Sequence, residues 1–101
     1  MGLYNYHLES LPHPLNNKCC FVCNNQMTPY NQNPELDGFQ YKCSNCNPNV
    51  VIELSGSLLA SSLYSKLCDN NNVLKIIKKQ IEDTTNERFQ LSTSFVSKYI
   101  H

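Results

Sequence analysis

The chain has 101 residues, 41% of them hydrophobic, with six cysteines and eight basic side chains balanced by eight acidic ones. That length predicts a single domain, burying roughly 60–65% of the surface its unfolded form exposes. Zero net charge excludes a global field drawing the protein to nucleic acid or anionic lipid, and no segment approaches the roughly 20 apolar residues of a membrane span.

Residues 1–17 read as an N-terminal arm. Tyr4, Tyr6, Leu8 and Leu11 can dock on a surface, while Pro12 and Pro14 stop a continuing helix. Met1 to Pro14 holds no apolar run of signal-peptide length. The start Met1-Gly2-Leu3-Tyr4-Asn5-Tyr6 lacks the Ser or Thr of a myristoylation site. The expected location is the cytoplasm, where reduced thiols favour metal over disulfides. A secreted framework of three disulfides is the rival reading of six cysteines.

Residues 18–54 carry the chemistry. Cys20 and Cys23 form one Cys-x-x-Cys pair, Cys43 and Cys46 a second, with residues 24–42 between them. That separation falls in the range of a four-thiolate zinc site. Zinc takes four donors in a tetrahedron, and each pair supplies two sulfurs. Four protein donors leave no open position for water or substrate, so the pattern predicts one structural Zn2+ rather than a zinc hydrolase. Cys19 offers the alternative x3 spacing to Cys23; the x2 hairpin suits the metal better and assigns Cys20. Such turns want a residue tolerant of positive φ after the second cysteine, and Asn24 and Asn47 occupy those places. Short strands are expected around Gln26–Thr28, Phe39–Lys42 and Val50–Leu54. The Pro-, Asn- and Asp-Gly-rich stretch 29–38 between the first two reads as a loop closing on a tight turn.

Residues 55–101 read as helical. Ser55 or Ser57 can cap a helix bearing Leu59, Leu63 and Leu67, with Leu58 and Cys68 widening its apolar stripe. Asp69-Asn70-Asn71-Asn72 breaks the pattern, and Asn72 can cap a second helix with Val73, Leu74, Ile77 and Ile81 on its buried face. Asp83-Thr84-Thr85-Asn86 ends it. Beyond Phe89 and Leu91, Thr93 or Ser92 can cap a last short helix carrying Phe95, Val96, Tyr99 and Ile100.

Several residues admit a plain reading beside a functional one. Cys68 fits a small buried side chain better than a fifth ligand. His7, His13 and His101 show no pairing pattern, and four thiolates leave them no place on the metal. Lys75, Lys78 and Lys79 form a basic stripe that can neutralise phosphates or serve as a solvated face beside Glu82 and Asp83. Phe39 and Tyr41 can stack on bases if exposed or pack in a core. No catalytic triad, glycine-rich phosphate loop or carboxylate pair stands out, so no enzyme activity is expected from this chain alone.

The run Cys20-Phe21-Val22-Cys23, the turn at Asp37-Gly38 and Tyr41-Lys42-Cys43-Ser44-Asn45-Cys46 are similar to zinc-ribbon modules of many bacterial proteins. Val51 to Ala60 resembles the ribbon's last strand passing through a Ser-Gly-Ser step into a helix. Val73–Glu82 and Phe89–Thr93 resemble that module's downstream helices. Such modules often stand at the N-terminus of proteins acting in anti-phage defence or nucleotide signalling. Residues 18–100 are covered, with asparagine replacing the usual glycines after Cys23 and Cys46. The resemblance implies a small α+β fold: a zinc ribbon, built as a short antiparallel sheet with two Cys-x-x-Cys knuckles, then about three short helices.

The expected function is a non-catalytic, zinc-bearing adaptor or regulatory module for a protein partner, with no small-molecule substrate and no membrane. The alternative is a nucleic-acid-binding module using Lys75, Lys78 and Lys79. A third reading, an enzyme or the regulatory subunit of one, needs a partner chain.

Overall fold

The period-two pattern of Phe39-Gln40-Tyr41-Lys42-Cys43 sets up the sheet in a computed structural model that describes residues 11–30 and 38–100. Three strands come from the cysteine-bearing half: β1 (Thr28–Pro29), β2 (Phe39–Cys43) and β3 (Asn47–Leu54), paired antiparallel in that order. Phe39 lies opposite Leu54 and Tyr41 opposite Ile52, and all four are buried. Residues directly opposite share a face, so these four line the core. The other face carries Gln40 opposite Glu53 and Lys42 opposite Val51. There the Gln40 amide donates to Glu53 at 3.3 Å and Arg88 donates to the same carboxylate at 2.8 Å. Lys42 sits 5.2 Å above the Tyr30 ring on that face. Gly38, just before β2, has φ 89°, and a Cβ there would collide with the Leu54 carbonyl.

A fourth strand, β4 (Arg88–Leu91), runs parallel to β3, with Ile52 beside Phe89 and Leu54 beside Leu91. Parallel neighbours require a crossover connection. Residues 55–87 supply it as three helices: α1 (Gly56–Leu59), α2 (Ser62–Cys68) and α3 (Asn71–Asp83). A short α4 (Thr93–Ser97) follows β4. Among the described residues the fold is therefore small α+β with a mixed four-stranded sheet and four helices. This corrects the expectation of a wholly antiparallel sheet followed by helices alone. The alternation in Arg88-Phe89-Gln90-Leu91 is too short to announce a strand, and its pairing with β3 is long-range.

The helices begin where short polar side chains can take an orphan N–H. Ser55 accepts from Leu58 N, Asn70 from Val73 N and Ser92 from Phe95 N. Asn70, not the expected Asn72, thus opens α3. The single helix expected through Leu59, Leu63 and Leu67 is two. Ser61 accepts from Leu63 N while its hydroxyl donates to Leu58 O at 3.0 Å. Such local bonding by serine competes with helix continuation. On α3, Val73, Ile77 and Ile81 are buried and Leu74 is half-buried. Each such fully buried aliphatic side chain contributes about 1.5–3 kcal/mol.

Leu11 and Leu15 join the same buried cluster as the strands and helices, with Leu15–Asn17 forming one 3₁₀ turn. Tyr4, Tyr6, Leu8, His7 and His101 lie outside the described residues. No helix among the described residues is long and apolar enough to cross a membrane.

Candidate metal centre

The first cysteine turn folds back through Asn24, whose φ of 62° is the left-handed conformation its position calls for. Its backbone N–H bonds to Cys20 O at 2.8 Å, and Cys20 N bonds to Asn25 O at 2.8 Å. A bridge between Cys19 and Gln26 closes the base of the loop. The second turn, Cys43 to Cys46, connects β2 to β3, with Cys46 N bonded to Cys43 O at 3.1 Å. Asn47 departs from expectation. Only Lys18, Asn24 and Gly38 have positive φ among the described residues, and Asn47 begins β3 instead. Its side-chain amide donates to Ile81 O at 2.9 Å and accepts from Asn49 N at 3.1 Å. The residue expected to relieve the turn ties it to the last turns of α3.

The two turns bring Cys20, Cys23, Cys43 and Cys46 together, with all four sulfurs within 4.8 Å of one another. Cys20 and Cys46 lie 3.9 Å apart, Cys23 and Cys43 3.4 Å. A zinc ion with S–metal bonds of about 2.3 Å in a tetrahedron places its sulfurs roughly 3.8 Å from each other. The donor set fits one such ion. Cys20 and Cys43 are fully buried and Cys46 nearly so, whereas Cys23 is half-buried. Cys19 stays out of the cluster, its sulfur 3.6 Å from Asn17 O. Cys20, not Cys19, is thus the sulfur the fold brings to the cluster.

Tyr41 completes the surroundings. Its hydroxyl lies 3.1 Å from the Cys20 sulfur, and the residue is fully buried. Burial lifts its pKa well above the ordinary phenol range, so it keeps its proton and is the donor wherever Cys20 is a thiolate. Without a cation the cluster cannot ionise throughout. The hydrogen bond from Cys46 holds Cys20 down to about 5 against the opposing effect of burial, and Tyr41 adds to it. Burial, then the charge on Cys20, pushes Cys43 up to about 11. Cys46 is driven upward, chiefly by the proton it shares with Cys20. Repulsion among close thiolates calls for a cation, and a bound metal would supply the charge that lets all four deprotonate.

An open groove of about 590 Å³ flanks the first cysteine turn. Pro12, Phe21, Val22 and Leu74 give it apolar walls, and Cys23 and Cys68 reach it. His13, whose Nδ1 accepts from the Asn17 side-chain amide at 3.3 Å, stands at its edge rather than in the cysteine cluster. Cys68 is half-buried, with its thiol pushed up by burial, and does not join the four sulfurs.

The basic stripe lies on α3, where Lys78 pairs with Glu82 at 2.9 Å and Lys79 with Asp83 at 3.3 Å, while Lys75 is exposed. Phe39 and Tyr41 stack on each other at 6.0 Å between centroids, inside the core and out of reach of bases. Sequence reasoning missed Tyr41 as a partner of the cluster. The signal was available: Tyr41 stands two residues before Cys43, hence on the same face of the strand.

The fold and site define a small α+β protein with a four-cysteine cluster suited to one metal ion. No protein-family model, no curated protein and no solved structure matches this chain.

Proposed function

We propose that this chain is a non-catalytic interaction module whose cysteine turns form a zinc ribbon around one structural Zn2+. The carrying observation is the closed donor set: four cysteine sulfurs within 4.8 Å of one another, three of them buried. Four protein donors fill a tetrahedral ion, which leaves it a structural role. Thiolates at this spacing favour zinc over harder divalent ions. A groove walled by Pro12, Phe21, Val22 and Leu74 supports a protein partner as the ligand of this surface, as does zero net charge. The resemblance to bacterial zinc-ribbon modules is the support for a regulatory or defence setting in the cytoplasm.

The nucleic-acid alternative loses its stacking aromatics to the core and two of its three lysines to ion pairs. The test is a titration of metal-loaded protein with labelled RNA and DNA across a salt series. Absence of binding at low salt agrees with a protein partner. Tight binding that falls steeply with salt, and is lost on charge reversal of Lys75, Lys78 and Lys79, overturns it.

A further inference from the structure

The four sulfurs are chemically unequal. Cys20 is 0% exposed, as is Cys43, and Cys46 is 6% exposed. The Tyr41 hydroxyl also lies 3.1 Å from the Cys20 sulfur, and because a metal-bound thiolate carries no proton, the hydroxyl is the donor there. A hydrogen bond into a thiolate draws off the electron density an attacking sulfur uses, and burial denies reagents a path. Cys23 is the most open of the four. It is half-buried and reaches the open groove of about 590 Å³. Its sulfur also lies 3.4 Å from that of Cys43, on the other cysteine turn.

We propose that Cys23 is a modification site: the thiolate that takes an oxidant or electrophile first and then closes a disulfide with Cys43. The inference rests on the four-thiolate metal centre but not on the partner the module binds. With hydrogen peroxide as oxidant, the Cys23 thiolate attacks one peroxide oxygen. The O–O bond breaks, hydroxide leaves, and the sulfur becomes a sulfenic acid, oxidised by two electrons. The Cys43 thiolate then attacks that sulfur, the S–O bond breaks, a second hydroxide leaves, and the disulfide forms. Two thiolates are oxidised and one peroxide is reduced to two hydroxides. The sulfurs must close from 3.4 Å to about 2 Å. With two of four donors consumed, the site no longer holds its metal. The groove wall at Phe21–Asn24 is then tethered through a covalent bond instead.

The test treats metal-loaded protein with peroxide while following metal release with a chelating dye, then maps disulfides by peptide mass spectrometry. The expected result is release in step with a Cys23–Cys43 disulfide. Among the four cluster cysteines, limiting iodoacetamide labels Cys23 several-fold faster than Cys20 or Cys46. A Cys19→Ser, Cys68→Ser double variant keeps this outcome, because neither sulfur belongs to the cluster. Tyr41→Phe, which keeps the ring in the core, raises the labelling of Cys20 relative to Cys23. First oxidation at Cys20 or Cys46, or a Cys23–Cys68 disulfide in its place, overturns the proposal. Metal content before treatment separates the two claims. A chain that takes up no metal sinks the centre itself, whereas one loaded chain oxidising elsewhere sinks only the Cys23 assignment.

Discussion

The two cysteine turns each bring two sulfurs to one cluster and are held in different ways. The second is built into the sheet between β2 and β3, and Asn47 bonds it to α3. The first is a loop held by its own backbone bonds, the left-handed Asn24 and the short bridge at its base. It meets the rest of the fold through side chains, Cys20 at Tyr41 and Phe21 at Tyr64. A turn embedded in a sheet inherits the sheet's rigidity; a turn on a loop depends on what it grips. The metal is thus expected to fasten the first turn to a second that is already in place.

The largest expected effect comes from removing a donor in the embedded half. Cys43→Ser replaces a buried thiolate with a weak donor and costs most of the metal's binding energy, on the order of 10 kcal/mol in small zinc peptides. Loss of both metal and cooperative thermal unfolding is expected, read by metal analysis and calorimetry. A variant that kept both would remove Cys43 from the ligand set. Chelation of the native protein sharpens the contrast between the turns. Amide exchange is expected to rise first over residues 20–25 and last at Tyr41 and Ile52 in the sheet. A uniform rise would show that the turns are equally dependent on the metal.

Acid acts on the same contrast. In the metal-free chain Cys43 is pushed up to about 11 and Cys46 is raised as well, so both carry protons at neutral pH. Metal binding expels those protons, so the metal-free state binds more of them and acid favours it. Affinity is expected to fall by about 1.4 kcal/mol per displaced proton per pH unit. Cys20 adds to the loss only as pH drops toward about 5. Competition with a chromophoric chelator between pH 8 and 5 measures this; pH-independent affinity would contradict a thiol donor set.

Two asparagine changes carry smaller effects. Asn47→Ala removes the bond to Ile81 O and is expected to cost about 1–2 kcal/mol in denaturant unfolding. Asn24→Gly, at φ 62°, is expected to change stability by only a few tenths of a kcal/mol, since glycine adopts that conformation freely. Equal costs at the two positions would erase the distinction between the turns. The smallest effect is on α3. Breaking the Lys78–Glu82 or Lys79–Asp83 pair by mutation should cost no more than about 0.5 kcal/mol, because both pairs are solvent-exposed.

The parts legible in the sequence were those governed by neighbours. The spacing of Cys20, Cys23, Cys43 and Cys46 pointed to the four sulfurs that the fold brings together, and the x2 hairpin pointed to Cys20 rather than Cys19. Ser55, the stripe Val73-Ile77-Ile81 and the stop at Asp83 located helix features from local chemistry. What stayed hidden depends on distant contacts. Nothing local in Arg88–Leu91 says that it lies parallel to β3. The break at Ala60-Ser61 arises because Ser61 bonds back to Leu58, where the leucine spacing alone continues the helix. Asn47 was expected to relieve its turn by conformation and instead holds it through a bond to α3. For Tyr41 the spacing to Cys43 gave the face of the strand, but its contact with Cys20 also required knowing that the Cys20 turn folds over β2.

The most direct test of the metal centre is X-ray absorption spectroscopy at the zinc edge on protein loaded with one equivalent of metal. Four sulfur scatterers at about 2.3 Å, with no nitrogen or oxygen in the inner sphere, are the expected result. Fewer than four sulfurs, or a light-atom donor in their place, would contradict a closed site formed by Cys20, Cys23, Cys43 and Cys46.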